Sequence, residues 1–428
     1  MAVGALASRF GRITSSSYVR AVATLSTGQM LAAAVPLLAA PVLGRLYLPA
    51  DYGVLATYMA TASVFGTMST LQLDQGIIAE HSERRALELV LVCQRAGLVV
   101  AMMAAIAGLA LFFAMGRNPA FALSRWWMLA LPASTIAASS VAPIIAFANR
   151  QRRYGMMARA QVYSVVATVF TSIAFGAMHW GAQGLFASYF IGQAISVGYQ
   201  LWLYGQIAPY RPRMSMRRTL ALGRRHRRYA IYTLPSELMG SVQRQLPIFM
   251  LSGIGAATLL GGFSRARSLL SMPLTLLGSS IGQVFRQRAS EQFRLTGSCG
   301  RIYAQTFWAL LLLGLPATVV LMLFAPELFR IVLGPRWTVA GQITRIIAPT
   351  LLLQLVCSPI STVFYFLHYQ RDEFLLSIGT FALILISAFA VFWISPNPMA
   401  FLYVYAAVYS LAYVTYIIRG WMIASGAG

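Results

Sequence analysis

The 428-residue chain is 58% apolar, 12% aromatic and only 10% charged, a balance that excludes a water-soluble globular protein and places it in a membrane. Its 33 basic residues outnumber 10 acidic ones for a net charge of +23, and all 33 are arginine, because the sequence contains no lysine. Without lysine the chain holds neither a phosphate-loop ATPase nor a pyridoxal enzyme, and a nucleic-acid binder would carry its charge on a far more polar surface.

Hydrophobic runs of about 20 residues, the length that spans a bilayer, are predicted at 22–44, 52–73, 89–115, 126–148, 160–178, 184–207, 230–252, 259–285, 302–324, 338–368, 374–394 and 399–418. The fold class read from this pattern is an all-α integral membrane protein of about twelve transmembrane helices. Arg9, Arg12 and Arg20 before the first run imitate a signal peptide, but the apolar run continues to Leu43 and eleven more follow, so an uncleaved first helix is expected. Cys93, Cys299 and Cys357 are odd in number and widely spaced, which points to neither a disulfide framework nor a zinc site, and no other metal or cofactor pattern is present.

Arginine placement sets the expected orientation. With the N-terminus inside, Arg84, Arg85, Arg150, Arg152, Arg153, Arg159, Arg286, Arg288, Arg294, Arg301, Arg371 and Arg419 join the N-terminal arginines in cytoplasmic segments, and only Arg45, Arg117, Arg125, Arg330 and Arg336 fall outside. Both termini are therefore expected in the cytoplasm. The densest basic stretch carries Arg211, Arg213, Arg217, Arg218, Arg224, Arg225, Arg227 and Arg228. It reads as a cytoplasmic linker, 208–229, between two six-helix bundles, 1–207 and 230–428, and serves topology and contact with anionic membrane lipids or capture of an anionic substrate. Pro132 and Pro143 followed by Gln151-Arg152 match Pro349 and Pro359 followed by Gln370-Arg371, a trace of a repeat that relates the bundles.

Charged residues inside spans are costly and therefore mark function. Asp74 and Arg95 lie near the same membrane face, as a structural pair or, for Asp74, as an ion-coupling group. Glu237, Ser241 and Arg244 share one face of the seventh helix, extended by Thr233 and interrupted by Pro235, Gly240 and Pro247. In the eighth, Arg267 lies nearer than Arg265 to a stripe of Ser264, Ser268, Ser271, Thr275, Gly278 and Gly282, which serves close packing or cavity lining. Arg345 shares a face of the tenth helix with Gln342 and Pro349. Arg244, Arg265, Arg267 and Arg345 thus form a predicted cationic group without an acid at the same depth, a pattern suited to bidentate phosphate binding. Glu237, Ser241, Ser268, Ser271 and Thr275 form its polar stripe, and no catalytic residue is expected.

The run Gly44-Arg45-Leu46-Tyr47-Leu48-Pro49-Ala50-Asp51-Tyr52-Gly53 resembles the first outer loop of the Wzx-like polysaccharide flippases of the MOP, MATE-like, exporter superfamily. The resemblance continues in order through Leu71-Gln72-Leu73-Asp74, Ser271-Met272-Pro273-Leu274, Ala325-Pro326-Glu327-Leu328-Phe329, Leu333-Gly334-Pro335-Arg336-Trp337 and Ser358-Pro359. It implies two six-helix bundles related by a pseudo-twofold around a cavity that opens alternately to either side of the bacterial inner membrane. It further implies translocation of an oligosaccharide repeat unit on a lipid carrier, usually undecaprenyl pyrophosphate, for O-antigen, capsule or exopolysaccharide, alongside a polysaccharide polymerase and a chain-length regulator. The pyrophosphate would then be the anion for the arginines, and Asp74 and Glu237 the acids available if a proton is exchanged. A drug exporter of the same superfamily would favour an acidic, aromatic cavity. A polymerase or ligase would need a large outer loop with catalytic residues, and the outer loops here are short and nearly free of His, Asp and Glu.

Overall fold

The computed structural model describes residues 17–115, 125–210, 214–394 and 397–426; Arg9, Arg12, Arg117, Arg211 and Arg213 of the orientation pattern lie outside the described residues. The protein is an all-α membrane protein. Its helices of 20 or more residues are α1 (Ser17–Leu46), α2 (Pro49–Met68), α3 (Glu83–Met115), α4 (Leu131–Arg150), α5 (Tyr154–Ala177), α6 (Gly181–Ile207), α7 (Leu234–Gly253), α8 (Ala257–Thr296), α9 (Gly300–Leu333), α10 (Thr338–Ile360), α11 (Gln370–Ile394) and α12 (Pro398–Ser425). Among the described residues, 8 helical stretches are long and apolar enough to cross a membrane. They fall on α1, α3, α4, α5 and α9 through α12. α7 and α8 are the helices that hold Glu237, Arg244, Arg265 and Arg267.

The outward surface confirms the solvent. Trp393 is 91% exposed, Ile394 82% and Leu38 78%, positions that water would punish and lipid accepts.

The chain forms two compact units, Met1–Tyr47 with Val54–Phe249 and Leu48–Gly53 with Met250–Gly428. In the first, α5 packs on α1 and α6, and α4 on α3 and α6; in the second, α10 packs on α8, α9 and α12. Two proline-bearing helices, α4 and α10, are the innermost of the membrane-crossing set. Half of the most apolar window is buried in α4 and in α10, against 11–28% in the others. Prolines are tolerated there because neighbouring helices surround the loosened backbone. Pro143 and Pro359 are themselves buried.

The matching Gln-Arg motifs lie beside matching turns. After α4, Arg152 is left-handed (φ 57°) and Arg153 N–H donates to the Ala148 carbonyl at 2.9 Å; before α11, His368 (φ 63°) precedes Tyr369, whose N–H donates to Phe364 at 2.8 Å. Both are six-residue helix closures with a non-glycine residue in the left-handed position. α5 ends the same way at His179, φ 59°, so the turn alone does not mark a repeat.

Candidate functional site

Residues Leu48–Gly53 belong to the second unit although the chain on both sides of them belongs to the first. Asp51 Oδ2 accepts the Leu48 N–H at 2.9 Å and closes the first turn of α2. A Cβ on Gly53 would lie 2.1 Å from the Ala257 carbonyl oxygen, and one on Gly261 1.6 Å from that of Pro49. The first turns of α2 and α8 therefore touch backbone to backbone, an approach that only glycine permits.

This contact positions Tyr52. Its ring meets buried Trp337 edge to face at 5.5 Å, and the Arg265 guanidinium carbon lies 4.8 Å from its centroid. Two of the family-like motifs, the one ending in Gly53 and the one ending in Trp337, thus meet at Tyr52, and the ring of Tyr52 carries Arg265. Arg265 is 8% exposed, and its Nε and Nη2 have no hydrogen-bond partner. A desolvated cation–π contact is worth about 2 kcal/mol, whereas burying a charge costs several and each unmet donor roughly 1–3 more. The tyrosine ring does not offset that deficit, and an anion would.

Arg267, two residues on, is turned by about 200° from Arg265 and is half-buried. Its helix reaches Tyr405 of α12 through Phe263, on the run that also holds Tyr409 and Tyr413. Those belong to a ladder on α12 in which Phe401, Tyr405, Tyr409 and Tyr413 follow at four-residue spacing, with successive ring centroids 6.3, 4.5 and 6.2 Å apart. Buried Phe263 of α8 abuts Tyr405 at 5.8 Å. The sequence analysis missed this ladder. Its signal was a bare spacing of aromatics in the last span, which charge-based reasoning does not weigh.

The remaining candidates separate. Arg345 is exposed, and its Nη2 donates to the Leu323 carbonyl at 2.9 Å, tying α10 to α9 three residues before Pro326 interrupts that helix. Arg244 is exposed in the first unit, with its Nη1 folded back over Gly240, while Ser241 is buried. Glu237 is exposed in the first turn of α7. Ser271 and Thr275 donate to their own helix, to Ser268 at 3.4 Å and Met272 at 2.9 Å, and Ser268 and Thr275 are exposed. Further along the stripe, Gly278 and Gly282 lie against Ser358 and Pro359 of α10, so that part of it packs helices together.

Asp74 accepts from the Thr70 hydroxyl at 2.5 Å, whereas Arg95 donates to the Thr219 hydroxyl and, at 3.0 Å, to the Met214 carbonyl. Each has its own partner in place of the expected mutual pair. Two further carboxylates in this part of the first unit are matched by basic groups. Buried Glu88 is bound by Arg218 at 2.5 Å and Arg84 at 3.3 Å, and buried Glu80 faces Arg85 at 3.6 Å and His226 at 3.4 Å. Arg150 caps the short helix Asp74–Ala79 through the carbonyls of Glu80 and His81. The three cysteines are free and buried, and no metal-binding cluster occurs among the described residues.

Solved structures share this fold across nearly the whole chain. The lipid II flippase MurJ in an inward closed conformation matches with TM-score 0.69 at 12% identity, covering 93% of this chain and 89% of that one. A multidrug resistance MATE family transporter in an inward-facing conformation matches at 0.61 and 13%, covering 94% and 97%. A MOP superfamily transporter from Pyrococcus furiosus matches at 0.59 and 15%, covering 94% and 95%. Such low identities establish the fold alone, a multi-pass transporter fold. No curated protein matches the sequence. The family described as "Polysaccharide biosynthesis protein" matches residues 42–342, most of the chain and all but one of the motifs that carry the resemblance, and the protein belongs to that family.

Proposed function

We propose that the protein is a flippase that carries an oligosaccharide repeat unit on a pyrophosphate-linked lipid, undecaprenyl pyrophosphate in the bacterial case, across the inner membrane for surface polysaccharide synthesis. The observation that carries this reading is Arg265, a buried guanidinium with two N–H groups left for an acceptor. Phosphate oxygens suit such donors in number and geometry. Arg267 supplies a second positive charge, and the Tyr405, Tyr409 and Tyr413 rings give flat amphipathic faces and hydroxyls against which sugars pack. The family match and the fold of a lipid II flippase support the reading.

In this mechanism the headgroup enters from the inner leaflet, its pyrophosphate pairs with Arg265 while Arg267, on the other side of α8, contributes positive potential, and the protein exposes it to the other side while the lipid tail stays in the bilayer. Outward movement of an anion is favoured by roughly 2.3 kcal/mol per charge for each 100 mV of inside-negative potential. The chain acts as a transporter without chemistry on the sugar, and both termini are cytoplasmic by the distribution of arginine. The test is deletion in the native host with lipid-linked oligosaccharide measured in each leaflet. Accumulation on the cytoplasmic side with loss of surface polymer, restored by the wild type and not by R265A or R267A, is the expected result. A normal leaflet distribution with unpolymerised units outside would assign the protein to a later step.

A further inference from the structure

A cavity of about 420 Å³ lies wholly within the first unit, beneath the basic helix Met216–Arg225. That size falls in the range of small-molecule pockets. The helix is held in place by the Arg218–Glu88 pair at 2.5 Å and by the grip of Arg95 on Thr219 and Met214. Leu73, Val92, Ala96 and Val100 give the cavity apolar walls. Leu71, also in its wall, has φ 52° and is followed by Gln72 at φ 58°, two consecutive non-glycine residues in the left-handed region. Gln72 Nε2 donates to the Thr67 carbonyl at 3.0 Å and helps hold that turn. Strain of this kind persists where the surrounding structure over-determines it, often at ligand sites.

The mouth differs from the walls. Arg224 and Arg227 line the cavity with their apolar stems, are exposed, and form no ion pair among the described residues, because the nearby carboxylates Glu80 and Glu88 are held by Arg84, Arg85, Arg218 and His226. Exposed Val99, Met103 and Leu220 make the opening apolar on its other side. A free phosphate has no use for an apolar chamber, and a neutral hydrocarbon has no use for two arginines. The complement to both is an anionic amphiphile.

We propose that this cavity is a binding site for one anionic membrane phospholipid, with an acyl chain in the chamber and the phosphate on Arg224 and Arg227. The site is separate from Arg265 and Arg267, so it stands whether or not the transported lipid is the one proposed above. It also gives the basic helix a role that diffuse attraction to headgroups does not: a specific lipid joins that helix to α3.

The test is native mass spectrometry of the full chain in detergent, titrated with phosphatidylglycerol or phosphatidylcholine. Retention of phosphatidylglycerol alone is expected, with binding about thirty-fold weaker in R224Q/R227Q. R217Q/R225Q removes the same charge from side chains outside the cavity wall and is expected to bind as the wild type does. Gly223→Leu directs bulk into the chamber from a position where a Cβ makes only an ordinary 3.7 Å contact, so it is expected to lose the lipid at an unchanged melting temperature. Equal loss in the two double variants would overturn the proposal in favour of diffuse charge. So would glycerol phosphate competing as well as the intact lipid, which would make the chamber irrelevant, or undecaprenyl phosphate displacing phosphatidylglycerol, which would assign the site to the carrier lipid.

Discussion

Two groups of arginines, one in each unit, are held in opposite ways, although Arg125 of the first unit also rests on aromatic rings and Arg419 of the second pairs with Asp372. In the first, Arg84, Arg85 and Arg218 close on the buried carboxylates of Glu80 and Glu88. In the second, Arg265 rests on the face of Tyr52 with two N–H groups unmet. A guanidinium bound to carboxylates has spent its hydrogen-bonding capacity on the fold, and an anionic ligand would have to displace an ion already in place. One held by an aromatic face is fixed in position while keeping donors for something else. Arginine count is therefore a poor guide to the substrate path in a chain with 33 of them, and the kind of partner is a better one.

The largest effect is expected where the aromatic arrangement is anchored. Gly261→Ala puts a methyl group 1.6 Å from the Pro49 carbonyl, and neither backbone has a side chain to move aside. A loss of about 3 kcal/mol or more is expected, read as a drop in melting temperature and in folded yield. Gly198→Ala, with nothing within 4 Å, is the control in the first unit and is expected to be neutral or slightly stabilising. A tolerated Gly261→Ala would show that Tyr52 does not depend on this backbone contact.

Next in size is transport. Charge-assisted hydrogen bonds are worth roughly 1.5–3 kcal/mol, so R265A is expected to slow translocation by about ten- to hundred-fold in a reconstituted assay, while the equally charged change R218A leaves the rate unaltered. R267K separates charge from geometry: retained charge without the planar fork should preserve only part of the activity. Equal defects in R265A and R218A would erase the distinction between the two kinds of arginine.

A smaller effect falls on the first unit. Glu88→Gln removes the negative charge shared by Arg84 and Arg218, but their side chains are 66% and 50% exposed, so solvent absorbs much of the loss. About 1 kcal/mol of stability is expected to go, together with faster trypsin cleavage in the basic helix, and with translocation unchanged. Reduced transport at intact stability would make this network part of the mechanism.

Much of this was legible in the sequence because the bilayer imposes one strong rule: spans must be long and apolar, and departures from that rule stand out. Arg265 and Arg267 were visible for that reason. The apolar run at 338–368 was visible too, but not its division into α10 and the short helix Val363–Phe366, since a turn among apolar residues leaves no compositional mark. Partners were the least legible feature. Asp74 and Arg95 lie near in depth yet bond to Thr70 and to Thr219 with Met214, and the attachment of Leu48–Gly53 to the second unit joins residues over 200 positions apart. The tyrosine ladder was legible as spacing, but an aromatic stripe in a membrane helix also serves packing, and only its contact with α8, the helix of Arg267, gives it another meaning.

The finest distinction concerns acids, and both candidates lie in the first unit. Asp74 is committed to the Thr70 hydroxyl at 2.5 Å, whereas Glu237 is exposed at the start of α7, just after the π-helical turn Tyr229–Thr233. A group that loads and releases a proton needs access to water, which favours Glu237 over Asp74. If a proton is exchanged for the lipid-linked anion, Glu237→Gln abolishes the dependence of transport on a pH gradient and leaves its dependence on voltage, because the potential still supplies roughly 2.3 kcal/mol per charge per 100 mV. Asp74→Asn, which keeps an acceptor for Thr70, is expected to leave both dependences in place. The measurement is translocation into vesicles with the two gradients imposed separately. A pH dependence that survives in Glu237→Gln and disappears in Asp74→Asn would reverse the assignment and show that a hydrogen-bonded carboxylate, the kind the first unit otherwise uses to hold the fold, is the one that moves the proton.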